Sequence, residues 1–374
     1  MPIYSVNSIS RWPAMSAEPV TPLRVLFTRL QNIGDALNAV PALRSLRQAL
    51  PHARITLLAK HAGGVEVMRN CPYIDDMIVV RSRSLAEKIR LIREFRRRKL
   101  DYFIISPQDL GRVPWAWLGG ARVIVGYPRI VNYGRTVREK LPFLLRIAPK
   151  FDPNRTEVDH CLKLVEDVLD DLGVPLPQQS SRALEYSWQT AEDVAAATAA
   201  LGRAGIGEGA PFVASAPFSK RPAKNWPVER YAAVFKRVSG DGSVPVVLLG
   251  GQDERARTVE LARRAGPFCR TSAGETSIAS SAVIIKRASL FVGPDSGPAF
   301  IATAVGTPAV VLYGPADYYR WRVADSSVPR TELVHPISCS PCREQECTVS
   351  PSCMELISED EVAEACGKLW RAGS

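Results

Sequence analysis

The sequence predicts an α/β protein with two Rossmann-like, doubly wound domains that face a central cleft. The chain has 374 residues, whereas a single domain usually has roughly 100–200. Short apolar blocks alternate with blocks of helical periodicity, which is the pattern of a parallel sheet covered by helices. This alternation begins twice, near Leu23 and near Thr190, and a stretch rich in Pro, Gln and Ser separates the two halves. We therefore expect two domains joined near residues 176–190.

The N-terminal half predicts a domain over residues 22–180. Its strand-like blocks are LRVLFTR, RITLLAK, DMIVV, DYFIIS and ARVIVGY. Its helical blocks are ALNAVPALRSLRQAL, a segment near 64–70, the basic segment Ser84–Lys99, and one within 152–175. Residues 1–21 are expected to form a flexible leader, in which Met15 is an alternative start.

The C-terminal half predicts a second domain over residues 190–335. Its strand-like blocks are PFVASAP, VPVVLLGG, SLFVGPDSG and PAVVLYGP. Its helical blocks are TAEDVAAATAALGRAG, WPVERYAAVFKRVS, SIASSAVIIKRAS and AFIATAVG. A cysteine cluster and a C-terminal helix are expected over residues 336–374. Because ligands of open α/β sheets bind beyond the carboxyl ends of the strands, the loops that follow the strands are the place to look for a site.

Composition restricts the class of partner and the compartment. With 48 basic and 38 acidic residues the formal net charge is +10, which favours an anionic partner. The chain has no run of 18 apolar residues, so a membrane-spanning helix is not predicted. The first twenty residues lack the apolar block of a signal peptide, and we expect a cytoplasmic protein. Aromatic residues make up only 7% and are not interleaved with the basic ones, so nucleic acid is not an expected partner.

The basic segment Ser84–Lys99 carries an apolar stripe of Leu85, Ile89, Ile92 and Phe95. Such a stripe is typical of an ordinary surface helix packed on its sheet. We expect this packing, with attraction of anionic lipid or acidic glycan to the arginine face as a secondary effect.

Gly34 and Asp35 directly follow the first predicted strand. Aspartate at the start of a helix commonly acts as a cap, and from this motif alone capping is favoured over catalysis. A helix N-terminus also offers free N–H groups, and Gly34 is expected to leave room for an acceptor beside Asp35.

Two further loops carry groups suited to a phosphate or a sugar. Ser219, Lys220 and Lys224 precede a helix that is expected to start at Pro227. This arrangement combines cationic side chains with free backbone donors and favours phosphate binding over a merely solvated loop. The turn Gly293–Pro298 precedes a small-residue helix, where the backbone can approach a ligand closely. A simple helix-capping turn is the alternative there.

Four of the eight cysteines lie close together, at Cys339, Cys342, Cys347 and Cys353. Four thiolates can form a tetrahedral metal shell, and this spacing favours a structural zinc or iron ion over free thiols. Disulfides are disfavoured in a reducing compartment. Cys71, Cys161, Cys269 and Cys366 have apolar neighbours in sequence and are expected in the core.

Five segments, taken in order, resemble glycosyltransferase family 9, the bacterial ADP-heptose heptosyltransferases of lipopolysaccharide core assembly and their relatives. The resemblance covers almost the whole chain. The segments are RVLFTRLQNIGDALNAVPALRSLRQALPHARITLLA, KNWPVERYAAVFKRV, VVLLGGQDE, VGPDSGPAFIATAVGTPAVVLYGP, and the cysteine tail with Met354.

This resemblance implies a GT-B architecture and an inverting sugar transfer without a catalytic divalent metal or other catalytic cofactor. It places Asp35 on the general base and Lys224 on the residue that faces the donor diphosphate. Ser219 and Lys220 correspond to nearby phosphate contacts, and Glu254 corresponds to the acidic residue that meets the ribose.

The resemblance also places Thr276 near the base-binding segment. The remaining correspondences are the sugar- and phosphate-binding residues Asp295, Ser296 and Gly297. One departure is Ala299-Phe300, where family members usually carry Met-His. The change removes a polar contact near the donor and bears on which sugar is bound.

The expected activity is transfer of a heptose from ADP-heptose to a hydroxyl of a bacterial glycan. The N-terminal domain would hold a glycan or glycolipid acceptor, and the C-terminal domain would hold the nucleotide sugar. Peripheral contact with an anionic membrane, at the inner face, is an accompanying expectation. The alternatives are another nucleotide sugar, a protein acceptor, or a non-catalytic nucleotide- or glycan-binding relative.

Overall fold

The computed structural model describes residues 22–29, 32–178, 181–240, 242–323 and 327–372. The expected leader over residues 1–21, including Met15, lies outside the described residues. Two parallel sheets, each covered by helices, confirm the α/β architecture of two Rossmann-like domains.

The first sheet contains five parallel strands in the order β3-β2-β1-β4-β5. Its elements are β1 (Arg24–Arg29), α1 (Ile33–Ala49), β2 (Arg54–Ala59), α2 (Ala62–Met68), β3 (Asp76–Val79), α3 (Leu85–Arg98), β4 (Tyr102–Ile105), α4 (Val113–Leu118) and β5 (Val123–Gly126). Because β1 is the central strand, its carboxyl end lies at the middle of the carboxyl edge, which is the usual position for a ligand site.

An antiparallel hairpin and a long helix complete the N-terminal half: β6 (Arg129–Asn132), β7 (Arg135–Arg138) and α5 (Glu157–Asp171). The hairpin turn has positive φ at Tyr133 (51°) and Gly134 (69°), as a type I′ turn requires. The sequence analysis missed this hairpin. Helix α5 packs against α1 and lies within the expected range 152–175.

The second sheet contains six parallel strands in the order β10-β9-β8-β11-β12-β13. Its elements are α6 (Ala191–Arg203), β8 (Val213–Ser215), α7 (Val228–Ser239), β9 (Val246–Leu248), α8 (Arg255–Ala265), β10 (Cys269–Thr271), α9 (Ile278–Arg287), β11 (Leu290–Pro294), α10 (Gly297–Val305), β12 (Ala309–Tyr313), α11 (Tyr318–Trp321), β13 (Arg330–Val334) and α12 (Glu359–Ala372). Short 3-10 helices lie at Pro107–Asp109, Pro142–Leu144, Pro222–Lys224 and Gln252–Glu254. Helix α12 packs against α7 and the last three strands, so the C-terminal segment belongs to the core of the second half.

Four elements of the second half were not predicted: α8, β10, the short helix α11 and β13. Helix α8 buries only Thr258, Leu261 and Ala265 among its many charged residues, so its apolar periodicity is weak. Strands β10 and β13 lie at the two edges of the sheet and have partly exposed residues. Edge strands therefore lack the continuous apolar run by which buried parallel strands are recognised.

The packing of α3 differs from the expected one. Leu91 and Phe95 are fully buried against the sheet, whereas Leu85 is 72% and Ile89 is 41% exposed. The helix itself forms where it was expected. Ser84 caps it, since its hydroxyl oxygen accepts a hydrogen bond from the Glu87 N–H at 3.2 Å. Of the expected stripe, Phe95 packs on the sheet and Ile92 is partly buried, whereas Leu85 and Ile89 face away from it, so the expectation was wrong for these two residues.

The two halves meet through helices α1 and α10. A Cβ atom at Gly34 would lie 2.7 Å from the Phe300 ring, and one at Gly297 would lie 2.9 Å from the Ile33 side chain. Glycine at both positions therefore lets the two helix N-termini approach closely. This contact brings the N-terminus of α1 opposite the N-terminus of α10. The space beside Gly34, which was expected to be left for an acceptor, is filled by Phe300.

Candidate active site

Asp35 lies inside the first turn of α1, because the helix begins at Ile33 rather than after the Gly-Asp turn. Its Oδ2 accepts a hydrogen bond from the Asn32 N–H at 3.1 Å, so the carboxylate does take part in capping. The other oxygen, Oδ1, lies 3.7 Å from Nη2 of Arg29, and the side chain is 15% exposed. Capping therefore uses one oxygen and leaves the other near a buried cation.

Burial raises the pKa of Asp35 from 3.8 to about 6, against the opposing effect of Arg29. The negative charge of Glu157 raises this pKa further. A carboxylate with a pKa just below neutral is still mostly ionised at pH 7 and is a stronger base than an ordinary aspartate. This protonation behaviour suits a general base.

A buried ion network lies beneath Asp35 and joins the two halves of the chain. Glu157 accepts from Arg29 Nη1 at 2.8 Å and from Arg320 Nε at 2.9 Å, and the three side chains are at most 2% exposed. Burial by itself would raise the pKa of Glu157, but Arg320 and Arg29 outweigh it and lower the value to about 2. The sequence analysis missed these three residues, because they are far apart in the chain and share no local motif.

Lys224 and Asp295 form the corresponding pair on the C-terminal side. Lys224 Nζ donates to both the carbonyl oxygen and Oδ2 of Asp295, each at 2.8 Å. Asp295 directly follows β11, and Ser296 is the N-cap of α10. The Ser296 Oγ is buried with no hydrogen-bond partner among the described residues. A lysine, a hydroxyl group and a helix N-terminus that starts at Gly297 thus meet at one point, which suits a phosphate.

The other expected donor-side residues lie in neighbouring loops. The Ser219 N–H donates to Asn225 Oδ1 at 2.7 Å, which holds the loop after β8. Glu254 follows β9 and accepts from the Gly251 N–H at 2.9 Å. Burial raises the pKa of Glu254, and the nearby charge of Lys220 partly opposes this rise. Thr276 follows β10 and shares a 2.7 Å hydrogen bond with Ser281.

These loops follow β8, β9, β10 and β11, which are four adjacent strands of one sheet. The carboxyl ends of parallel strands share one edge, so the loops form a continuous rim. The structure therefore brings the donor-side candidates to one edge and places Asp35 across the contact between α1 and α10.

The cysteine segment does not present a preformed metal shell. Cys339 and Cys347 are exposed and Cys353 is buried, and within the described ranges no three His, Cys, Asp or Glu side chains are grouped as metal ligands. The segment instead packs on the basic loop, since Arg221 Nη2 donates to the Cys342 carbonyl at 2.7 Å. The core positions expected for the other cysteines are confirmed: Cys71, Cys161, Cys269 and Cys366 are buried.

Two facing Rossmann-like domains, with their candidate groups on opposite sides of the contact, are the architecture of the GT-B glycosyltransferases. The sequence matches the profile of glycosyltransferase family 9 (heptosyltransferase) over residues 89–352. The chain belongs to this family, as the resemblance of its motifs implied.

Individual relatives are similar along most of their length. The chain is 26% identical over 300 residues to lipopolysaccharide heptosyltransferase 3 of Escherichia coli, covering 77% of this chain and 83% of the relative. A solved family 9 glycosyl transferase from Veillonella parvula superposes with a TM-score of 0.76 at 23% identity, over 94% of this chain and 98% of that one. The E. coli ADP-heptose lipopolysaccharide heptosyltransferase II superposes with a TM-score of 0.70 at 20% identity, over 94% and 99%. These two superpositions confirm the GT-B fold.

Proposed function

We propose that this protein transfers a heptose from ADP-heptose to a hydroxyl of a bacterial glycan, the lipopolysaccharide core or a similar acceptor. The observation that carries the proposal is the position of Asp35. Its carboxyl has a pKa of about 6 and lies where α1 meets α10, the helix that follows the Lys224–Asp295 pair. A base and a phosphate site on opposite sides of the contact between α1 and α10 are what glycosyl transfer from a nucleotide sugar requires.

In the proposed reaction, the acceptor oxygen attacks the anomeric carbon from the face opposite the diphosphate. The new C–O bond forms as the bond to the β-phosphate oxygen breaks, and that electron pair leaves with ADP. The acceptor proton passes to Asp35, because an alcohol is a poor nucleophile unless its proton is removed. Attack from the opposite face inverts the anomeric configuration. Lys224 and the N-terminus of α10 stabilise the charge that develops on the leaving diphosphate.

The remaining donor contacts are proposed on the same rim. Ser219 and Lys220 would meet the phosphates, and Glu254 would meet the ribose. Thr276 follows β10, the outermost strand of the rim, and would lie beside the nucleobase of the donor. Asp295, Ser296 and Gly297 would form the turn that holds the sugar and the phosphate, while the N-terminal half would hold the acceptor. No divalent metal has a role in this mechanism.

Phe300 favours a second candidate, in which the donor carries a different sugar. The ring is 5% exposed and lies against Gly34, one residue from the proposed base. An apolar ring at this point offers no hydrogen bond to a sugar hydroxyl, so a polar contact expected from the family resemblance is missing. A site with fewer polar contacts discriminates less among sugars.

A thermal-shift screen of nucleotide sugars, followed by transfer assays, tests both candidates. A ligand that binds only the folded state at a hundredfold excess over its Kd stabilises it by about 2.7 kcal/mol. We expect ADP-heptose to raise the melting temperature more than other ADP- and UDP-sugars. A larger shift with another nucleotide sugar would favour the second candidate, and no shift with any of them would contradict both.

Replacing Lys224 by alanine should weaken binding of ADP roughly ten- to a hundredfold, because a charge-assisted hydrogen bond to phosphate contributes about 1.5–3 kcal/mol. Calorimetric titration with ADP measures the change directly. Lys236→Ala is the matched control, because this lysine is exposed on α7. An unchanged Kd for Lys224→Ala would remove this lysine from the donor site.

We also propose that Cys339, Cys342, Cys347 and Cys353 close around one zinc or iron ion that stabilises the segment. The pKa of Cys353 is raised by its burial and by the neighbouring Cys347, Cys342 and Cys339, so the other three thiols lie near Cys353. Metal binding to such a segment is coupled to its ordering.

Elemental analysis of protein purified without a metal-binding tag should therefore give about one metal ion per chain, and a chelator should lower the melting temperature. The double variant Cys339→Ser/Cys342→Ser should lose the ion and no longer respond to the chelator. Native protein with no metal and four freely titrating thiols would refute the metal site.

Among the described residues, no helix is long and apolar enough to cross a membrane. We propose that the enzyme acts in the cytoplasm, in peripheral contact with the inner membrane face, because a glycolipid acceptor would be found there.

A further inference from the structure

The N-terminal half exposes a set of large apolar side chains on one side. Phe143 is 77%, Leu85 is 72% and Trp117 is 57% exposed, and the partly exposed Ile89 (41%) and Leu118 (39%) accompany them. We call these five residues the apolar face. They come from helices α3 and α4 and from the 3-10 helix Pro142–Leu144. Isolated exposed apolar residues are ordinary, but a cluster of this kind marks an interaction surface.

The three segments lie side by side because they pack over one small core cluster. Leu91 and Phe95 of α3 are part of this cluster, and Trp115 and Leu144 are partly buried against it. Arg96 Nε donates to the Leu118 carbonyl oxygen at 2.8 Å, which ties α3 to the end of α4. The inward side chains therefore share one core, and the outward side chains lie on neighbouring segments, since α4 contacts both α3 and the 3-10 helix.

A basic rim accompanies the apolar face. Helix α3 contains six basic and two acidic side chains, and both acidic ones are already paired. Glu87 binds Arg90 at 2.7 Å, and Glu94 binds Arg97 at 2.6 Å. Within the described ranges, Lys88, Arg93 and Arg96 have no carboxylate partner. Their charges are available to an anionic partner.

We propose that the apolar face docks the N-terminal half on an anionic lipid bilayer, with its apolar side chains inserted between head groups and the basic rim paired with lipid phosphates. Apolar side chains flanked by Lys and Arg, with a tryptophan among them, match the chemistry of a membrane interface. A second copy of the same face is a poor partner, because its basic rim would meet like charges. This proposal deepens the proposed function. It depends on that function in one respect, namely that an acceptor carried on a lipid would give the protein a reason to bind the membrane.

The apolar face lies next to the proposed acceptor side of the cleft. Strand β4 ends at Ile105, the 3-10 helix Pro107–Asp109 follows, and α4 begins at Val113. Ser106, which directly follows β4, donates to Asp109 Oδ2 at 2.9 Å and accepts from Arg29 Nη1 at 3.4 Å. Arg29 in turn lies 3.7 Å from Asp35, so this connection passes close to the proposed base. A protein docked through α4 would therefore hold the acceptor side of its cleft near the membrane surface.

Co-sedimentation of the full chain with vesicles tests the proposal. Phosphatidylcholine vesicles with and without a third of phosphatidylglycerol are the probes. We expect binding to the anionic vesicles only, decreasing as salt is raised, because basic residues near an anionic surface are attracted within about one Debye length. Absence of binding to anionic vesicles, or equal binding to both kinds, would overturn the proposal.

Two double variants separate the apolar and the electrostatic contributions. Leu85→Ser/Phe143→Ser removes two inserted side chains and should weaken vesicle binding at least about tenfold. Lys88→Gln/Arg93→Gln should weaken it by roughly the same factor and reduce its dependence on salt. The matched controls are Val259→Ser/Leu356→Ser and Lys236→Gln/Lys286→Gln, which change exposed residues of the C-terminal half.

Vesicle binding by the four variants decides the role of the face. If either test variant binds like wild type, or if a control pair weakens binding as much, the apolar face is not the docking surface. A change of oligomeric state in the apolar variant, measured by sedimentation, would assign the face to a second copy and would also overturn the proposal. Transfer to a water-soluble acceptor fragment should be unchanged in all four variants, so a failure of docking is distinguishable from a failure of the proposed function.

Discussion

Asp35→Asn should lower turnover by at least about a hundredfold, while the melting temperature stays close to that of wild type. General bases typically contribute about 10²–10⁴-fold to the rate, and the amide oxygen of asparagine can still accept the hydrogen bond that Asp35 Oδ2 accepts from the Asn32 N–H. Arg29 keeps its 2.8 Å contact with Glu157 in the variant, so no buried cation is left unpaired. The measurements are steady-state transfer kinetics and thermal unfolding.

The matched control is Asp193→Asn. Asp193 occupies the same position in a capping box, at the start of α6, where it accepts from the Thr190 N–H at 2.9 Å. Both variants lose a capping carboxylate, but only Asp35 lies at the proposed site. Near-normal transfer by Asp35→Asn would leave Asp35 as a helix cap and nothing more.

The raised pKa of Asp35 also predicts the pH dependence of the wild-type enzyme. Transfer should fall as the pH is lowered through about 6, where the carboxylate takes up a proton. Because the pKa is raised from 3.8 in the folded state, this group favours folding at low pH, and that contribution is lost as the pH rises through about 6. Asp35→Asn should therefore be at least as stable as wild type at pH 7.

Glu157→Gln should lower the free energy of unfolding by about 3–5 kcal/mol at pH 7. The change leaves Arg29 and Arg320 buried without their shared carboxylate, and breaking a buried ion pair from one side typically has an effect of this size. Denaturant unfolding at constant pH measures it. A variant within about 1 kcal/mol of wild type would mean that the two guanidinium groups are stabilised by something other than Glu157.

Two comparisons make this result specific. Glu260→Gln breaks an exposed cluster with Arg263 and Arg264 and should change stability little. In wild type, the pKa of Glu157 is lowered from 4.5 to about 2, so its contribution is complete above pH 4.5 and is lost as the pH falls through about 2. Glu157→Gln should lack this acid-induced loss. If that variant fails to fold, Arg320→Met, which leaves the Arg29–Glu157 pair intact, should still show a smaller loss.

The alternation of apolar and helical blocks was sufficient to predict two parallel sheets and most of their strands. Each block reports its own period, because side chains repeat every 3.6 residues in a helix and buried parallel strands are continuously apolar. The same local signal located Asp35 and the turn at Asp295, since both follow buried strands. It failed for α8, β10 and β13, where exposed or charged residues interrupt the period.

The sequence by itself therefore determined the fold class, the family and the loops that carry the candidate site. Only the tertiary structure decided which residues of distant elements meet. These pairs are Glu157 with Arg29 and Arg320, Lys224 with Asp295, and Phe300 with Gly34. It also decided that Leu85 and Ile89 face outward while Leu91 and Phe95 face the sheet. The physical reason is the distance along the chain over which each signal acts. A local period shows only that a helix has an apolar side. Which side is covered, and which distant charge neutralises another, depends on the packing of elements far apart in the chain.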